Sequence, residues 1–277
     1  MNDQEYIYLT KKISKLVRID LGDYKTNQMR RRLDAFVARH KSAGVIPYCQ
    51  MLEQDEAALA KLCDFLTINV SEFFRDSKYF ETLQTVILPE LLRHSPNLKV
   101  WSAGCSNGAE AYSVAIILEK LSPRGNHKIL ATDIDEASLM KAMAGGPYRA
   151  AEIKSVPQQL VKGCFTDTDE SYKIIDRIRQ KVVFRKHDLL HDRYEQDFDL
   201  IICRNVVIYF SDEAKRRLNQ GFHKSLKETG VLFTGGTETM LDASELGFQR
   251  SSPCFWRKST AGAWDKARVL AGALSSK

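Results

Sequence analysis

At 277 residues, with 44% hydrophobic and 27% charged side chains, the chain has the composition of a globular protein of one large or two moderate domains. No apolar run approaches the roughly 20 residues of a membrane-spanning helix, and Met1-Asn-Asp-Gln-Glu-Tyr6 lacks the basic patch and apolar core of a secretory signal, so a cytoplasmic location without membrane insertion is expected. The net charge of +6 is uneven: residues 11–41 carry ten cations against Asp20, Asp23 and Asp34, which points to an acidic partner for that region.

Six cysteines (49, 63, 105, 164, 203 and 254) lie among apolar neighbours without a CxxC pair. Reduced, buried thiols are expected. The six histidines show no paired ligand spacing, and no metal site is expected.

Residues 1–92 read as helices only, with a linker to 97. The second helix is expected from Tyr24 to Ala43, closed by Gly44, with Met29, Leu33, Phe36 and Val37 as its buried stripe. Arg31 falls opposite that stripe, Arg32 and Arg39 line one flank, and Arg30 and Lys41 the other. Such a face suits docking to an acidic partner. Nucleic acid is not favoured, because no reading motif or aromatic interleaving accompanies it. Residues 47–66 continue in helical period. Thr67-Ile-Asn-Val-Ser-Glu-Phe-Phe-Arg-Asp76 reads either as a helix start capped by Asn69 or Ser71 or as a segment facing a polar ligand. A helix over 79–93 then ends at Ser95-Pro96-Asn97.

Lys99 to Glu110 reads as a buried strand, a glycine turn at Gly104-Cys-Ser-Asn-Gly108, and a helix over 110–121. Ile129 to Asp133 follows as a second strand ending in an acid. Strand, glycine loop, helix, strand and acid form the nucleotide-binding half of a Rossmann-like sheet, the acid being placed for ribose hydroxyls. The turn does not spell G-x-G-x-x-G, so no diphosphate cradle is predicted. A ligand with a ribose and no phosphate, such as S-adenosylmethionine, fits better.

Helices are expected over 136–144 and 150–163. An inserted β-hairpin is expected over about 164–185, with Tyr172–Ile175 and Val182–Phe184 as strand-like runs. His187, beside a strand end, reads as structural. Phe198–Cys203 is a fully buried strand ending in Arg204-Asn205, two polar residues placed for a pocket. Ser211 caps a helix through Leu226. Gly230–Thr234 is a further strand, Phe248 and Phe255–Trp256 form an antiparallel pair, and the tail 259–277 is expected to be disordered.

Five separated pieces together resemble the chemotaxis protein methyltransferases, which esterify glutamate side chains of bacterial chemoreceptors using S-adenosylmethionine. They are Thr67–Arg75, Trp101–Gly108 with Glu110 and Tyr112-Ser113, Ala131–Asp135, Asp188–Leu190, and Phe198–Asn205 with Ile208–Phe210. The likeness covers roughly residues 5–258. It implies an α/β fold: a Rossmann-like class I methyltransferase sheet with helices on both faces over 98–258, an inserted hairpin, and an all-α receptor-docking domain over 1–92.

By that resemblance, Asn69, Ser71 and Arg75 hold the cofactor from the front domain, beside Gly104. Glu110 meets its amino group and Asp133 its ribose, while Asp188, Leu189, Arg204 and Asn205 line the adenine edge and pocket floor. Chemistry agrees, since an ammonium wants a carboxylate and a diol wants a bidentate acceptor. Arg204 and Tyr209 are candidates to orient the acceptor carboxylate, and Arg31, Arg32 and Arg39 to dock the chemoreceptor. The expected product is S-adenosylhomocysteine, and the enzyme is expected to act as a monomer. Three positions depart from the family: Asn107 replaces Thr, Ala109 replaces Glu and Ala111 replaces Pro. The competing readings are a non-catalytic S-adenosylmethionine sensor or adaptor, and a methyltransferase for another acidic protein.

Overall fold

The computed structural model describes residues 1–17, 19–40, 44–67, 71–168, 170–240 and 242–259. Asn69, Lys41 and the tail beyond Ser259 lie outside them.

Among the described residues, nine strands follow in chain order: β1 Lys99–Ala103, β2 Lys128–Asp133, β3 Phe165–Thr168, β4 Ser171–Ile174, β5 Val182–Lys186, β6 Phe198–Cys203, β7 Leu226–Thr234, β8 Phe248–Ser252 and β9 Phe255–Lys258. Seven form one sheet in the order β5-β2-β1-β6-β7-β9-β8. The first five of that order run parallel, and β9 is antiparallel to both β7 and β8. The chain leaves β1 toward β2 on one side, while β6 returns on the other. That reversal opens a crevice at the carboxyl ends of β1 and β6, the place where open α/β sheets bind ligands.

The period-two alternation of each strand divides the core. Val100 packs on the face covered by helices Ala109–Leu121 and Leu88–His94, whereas Trp101 packs on the face covered by helix Asp212–Ser225. β6 is buried at every residue, as a parallel strand covered on both faces must be. Trp101 stacks on Phe198, meets Phe222 and Tyr194 edge-on, and donates its indole N–H to Thr132 Oγ1 at 2.9 Å.

Before the sheet come helices Asp3–Val17, Thr26–Arg39, Val45–Gln54 and Glu56–Thr67, which share their own core around Leu9, Leu33, Tyr48 and Leu62. The residues after them behave differently. Ser77–Thr82, a π-turn at Leu83–Ile87 and Leu88–His94 run on as one helix whose Phe80, Leu83, Leu88 and Leu91 belong to the sheet's core. Pro89 accounts for the π-turn, since it has no N–H to give to a carbonyl one turn back. Among the described residues no helix is long and apolar enough to cross a membrane.

Several expected boundaries shift. The second helix is Thr26–Arg39, because Tyr24 is drawn into an isolated bridge with Phe210, and Gly44 stands at the N-cap of the next helix instead of closing this one. The hairpin is Phe165–Thr168 with Ser171–Ile174 alone. Val182–Phe184 belongs to the main sheet, where β5 pairs with β2, and Asp176–Arg179 coils into a short helix between them. Leu226 opens β7 instead of ending a helix, and residues 150–163 divide into helices Ala150–Ile153 and Gln158–Cys164. All six cysteines are free.

Trp101→Ala removes the largest side chain of the second core face and strands Thr132 Oγ1. It is expected to cost about 3–5 kcal/mol of stability, read from urea unfolding.

Candidate functional site

The crevice is a cleft of about 1100 Å³, its open mouth included, roofed by the front helices. Ser71, Arg75, Gly104, Glu110, Asp133, Asp188, Leu189, Arg204, Asn205 and Tyr209 all line it. They come from five separate stretches of chain.

The loop after β1 is fixed by its own backbone. Gly104 and Cys105 donate to Thr132 O at 2.8 and 2.9 Å, Ser106 donates to Asp133 Oδ2 at 2.7 Å, and Gly108 donates to Cys105 O. With these N–H groups spent internally, the turn offers no phosphate cradle. Gly104 has φ +83°, and a Cβ there would lie 2.5 Å from Val206 Cγ2, so two loops meet over this glycine.

Asp133 is buried and accepts backbone N–H groups: Ser106 on Oδ2, Asp135 on Oδ1 at 3.0 Å, and Ile134 as well. A carboxylate has about four lone-pair sites, so acceptor capacity remains for a ligand hydroxyl. Burial raises its proton affinity, and those N–H groups pull it back. Glu110 accepts from Ser102 Oγ at 2.8 Å and faces Arg204 Nη1 at 3.5 Å. Burial raises it too, against Arg204 and Ser102, while Glu238 adds to the rise. Buried acids of this kind favour a cationic partner. The donor set therefore fits a ligand with an ammonium group and a ribose.

Arg204 is less available than the sequence suggested. Its side chain is 2% exposed and donates to Asp76 Oδ2 at 2.7 Å and Arg75 O at 3.1 Å. Its guanidinium lies 4.7 Å from the Phe233 ring centroid and 5.4 Å from that of Phe80. It lines the floor of the cleft and holds groups from neighbouring elements. Asn205, next to it, is left-handed at φ +60°. Tyr209 closes a 3₁₀ turn, Val207–Tyr209, and its carbonyl accepts from Lys25 N–H at 3.0 Å.

Arg32 is placed differently from Arg31 and Arg39. It is half-buried, with its guanidinium 4.8 Å from the Phe65 ring centroid and 5.5 Å from that of Tyr209, and it donates to Phe65 O. Burial lowers its proton affinity. It belongs to the seam between front helices and cleft, whereas Arg31 and Arg39 are exposed.

Asp188 accepts from Leu190 N–H at 2.8 Å and holds His191 Nδ1 at 2.9 Å. His187 packs edge-on to Trp101, and burial keeps its proton affinity low, as a structural histidine. Phe73 and Phe74 are buried, Phe73 meeting Tyr148 and Phe165 edge-on, so Arg75 projects from an aromatic anchor. Sequence reasoning passed over Asp76, Tyr24 and His191. Neither their spacing nor their neighbours mark them, because their partners are far off in the chain. It also foresaw no metal-ligand grouping, yet Asp20, Asp23 and His191 bring ligand atoms within 4.8 Å of one another at the rim. Asp23 already pairs with Arg217, and His191 with Asp188.

The family departures have structural roles. Asn107 Oδ1 accepts from Ala109 N–H at 3.2 Å, and its Nδ2 donates to Glu152 at 2.7 Å. Ala109 and Ala111 are fully buried.

Residues 69–253 match the CheR methyltransferase SAM binding domain, and residues 4–67 match the CheR methyltransferase all-alpha domain. The chain belongs to the CheR methyltransferase family. It is an S-adenosylmethionine-dependent chemotaxis methyltransferase by that membership. Chemotaxis protein methyltransferases of Listeria monocytogenes and Listeria innocua are each 37% identical over 93% of this chain and 98% of theirs. A probable chemotaxis protein methyltransferase of Rhizobium etli is 30% identical over 90% of this chain and 97% of its own. The family boundary at 67–69 falls where the front helices end and the cleft-lining segment begins.

Arg204→Ala leaves Glu110 and Asp76 without their cation. Breaking a buried pair costs about 3–5 kcal/mol, so the variant is expected to lose stability in chemical denaturation as well as turnover.

Proposed function

We propose that this enzyme transfers a methyl group from S-adenosylmethionine to glutamate carboxylates of bacterial chemoreceptors, giving glutamyl methyl esters and S-adenosylhomocysteine. The observation that carries the reading is the cleft itself. Two buried acids, Glu110 and Asp133, sit at the carboxyl ends of β1 and β2 beneath helices that present an arginine face.

In this reading Glu110 holds the cofactor's amino group and Asp133 its ribose diol. Arg75 and Ser71, with Asn69, hold it from the front side, above the loop at Gly104. Asp188, Leu189 and Asn205 border the adenine. The cofactor supplies an electrophilic methyl group on a sulfonium. A glutamate acceptor has a pKa of about 4.3 and is ionised at neutral pH, so no general base is required of the protein. The chain's part is to place that carboxylate in line and exclude water from it. Tyr209, which lines the cleft, orients the acceptor, and Arg204 acts through Glu110, the Arg75 carbonyl and the Asp76 carboxylate. The front helices form the receptor-docking domain, gripping acidic receptor helices with Arg31 and Arg39 while Arg32 braces the seam.

Incubating the enzyme with methyl-labelled S-adenosylmethionine and a purified receptor cytoplasmic domain is expected to label the receptor in an alkali-labile form. Label stable to alkali would overturn a carboxyl ester. Cofactor binding without transfer would point to a sensor or to another acidic protein as acceptor. Changing Arg31 and Arg39 together to Glu is expected to raise KM for the receptor roughly tenfold or more. Cofactor affinity by calorimetry should stay level; a parallel fall in both would reject a docking role.

A further inference from the structure

Glu238 has entered so far only through its charge near Glu110. It follows β7, and its side chain turns back into the protein, leaving the residue 9% exposed. Its Oε1 accepts Val207 N–H at 3.1 Å, and its Oε2 accepts Gly235 N–H at 2.7 Å. The backbone N–H groups of Asn205 and Val206 act on the same carboxylate and, with the first two, pull back a proton affinity that burial raises. Glu238 N–H closes the turn on Gly235 O at 3.1 Å. An ionised carboxylate is an acceptor only, with about four lone-pair sites, and here consecutive backbone donors of one loop converge on it.

Gly235 carries an independent sign of the same arrangement. A Cβ at that position would lie 2.5 Å from Glu238 Oε2 and 3.1 Å from Asn205 N. The missing side chain is the space through which the carboxylate reaches the loop. That loop needs holding, because Asn205 keeps a left-handed φ of +60°, which a non-glycine residue adopts only when its surroundings insist on it. Asn205, Val206 and Tyr209 then face the cleft, Val206 directly over Gly104.

We propose that Glu238 is a positioning residue: its carboxylate clamps the Asn205–Val207 backbone and so sets where Asn205 and Tyr209 stand toward cofactor and acceptor. The inference rests on reading that loop as the acceptor side of the methyltransferase cleft. An amide is a poor substitute for the acid, since a glutamine would turn its own N–H donors toward the backbone donors. The clamp touches neither Asp133 nor the Ser102 contact of Glu110, but its charge acts on Glu110 and Asn205 borders the cofactor, so its loss weakens cofactor binding less than it slows transfer.

Two variants of the full chain test it, E238Q and G235A, the second keeping the acid and pushing it off the loop. Amide exchange at Asn205, Val206 and Val207 is expected to quicken in both. Turnover in the labelled-methyl assay is expected to fall roughly 10- to 100-fold, with cofactor Kd rising by a clearly smaller factor. Wild-type exchange at those amides, in whichever variants fold, overturns the clamp. So does a loss of cofactor affinity as large as the loss of turnover, which would mark Glu238 as scaffolding only. Failure of the parent enzyme to label the receptor would overturn the acceptor assignment alone, because the exchange measurement does not depend on it.

Discussion

The cleft depends on one buried cation. A guanidinium taken out of water must be paired and hydrogen-bonded on nearly every side or it destabilises the fold. Arg204 meets part of that demand, its Nε lacking a hydrogen-bond partner among the described residues, with groups from three places: Asp76 and the Arg75 carbonyl before the sheet, Glu110 at the start of the helix after β1, and the ring faces of Phe80 and Phe233. Satisfying one charge therefore draws together the three walls of the site. Burial also makes Glu110 a strong partner for a positive group, because little water competes for its carboxylate.

The seam with the front helices follows a different logic. It is made mostly of backbone: Lys25 N–H to Tyr209 O, Ser211 N–H to Asp23 O, and the Tyr24–Phe210 bridge with its edge-on rings. Backbone contacts hold a docking domain in one orientation without constraining its outer side chains. Arg31 and Arg39 stay exposed, while Arg32 is spent on Phe65 and Tyr209. One helix thus serves two tasks on two faces.

The fold was legible wherever local pattern decides it. The buried run of β6, the glycine turn after β1 and the acid at the end of β2 all announce themselves through spacing. So does Ser211, whose hydroxyl accepts from Ala214 N–H as a cap should. Legibility failed where a distant partner overrides local preference. Val182–Phe184 has the composition of a hairpin arm, yet β2 offers it a longer, better-covered partner. Arg32 looks like its arginine neighbours and differs only because Phe65 and Tyr209 lie beneath it. In the site, acids following apolar strands could be read directly, but Asp76 and Glu238 could not. Their meaning lies in Arg204 and in the Asn205–Val207 backbone, and nothing in their own surroundings reveals it.

The seam also has a consequence for how the chain is made. Asp23 and its partner Arg217 are separated by 194 positions. At a synthesis rate of about 5–20 residues per second, the front helices leave the ribosome roughly 10–40 s before the surface they close upon exists. Their own core around Leu33 and Tyr48 can form at once, but Tyr24 and Asp23 must wait uncovered. The roof over the cleft therefore cannot close until most of the chain has been made.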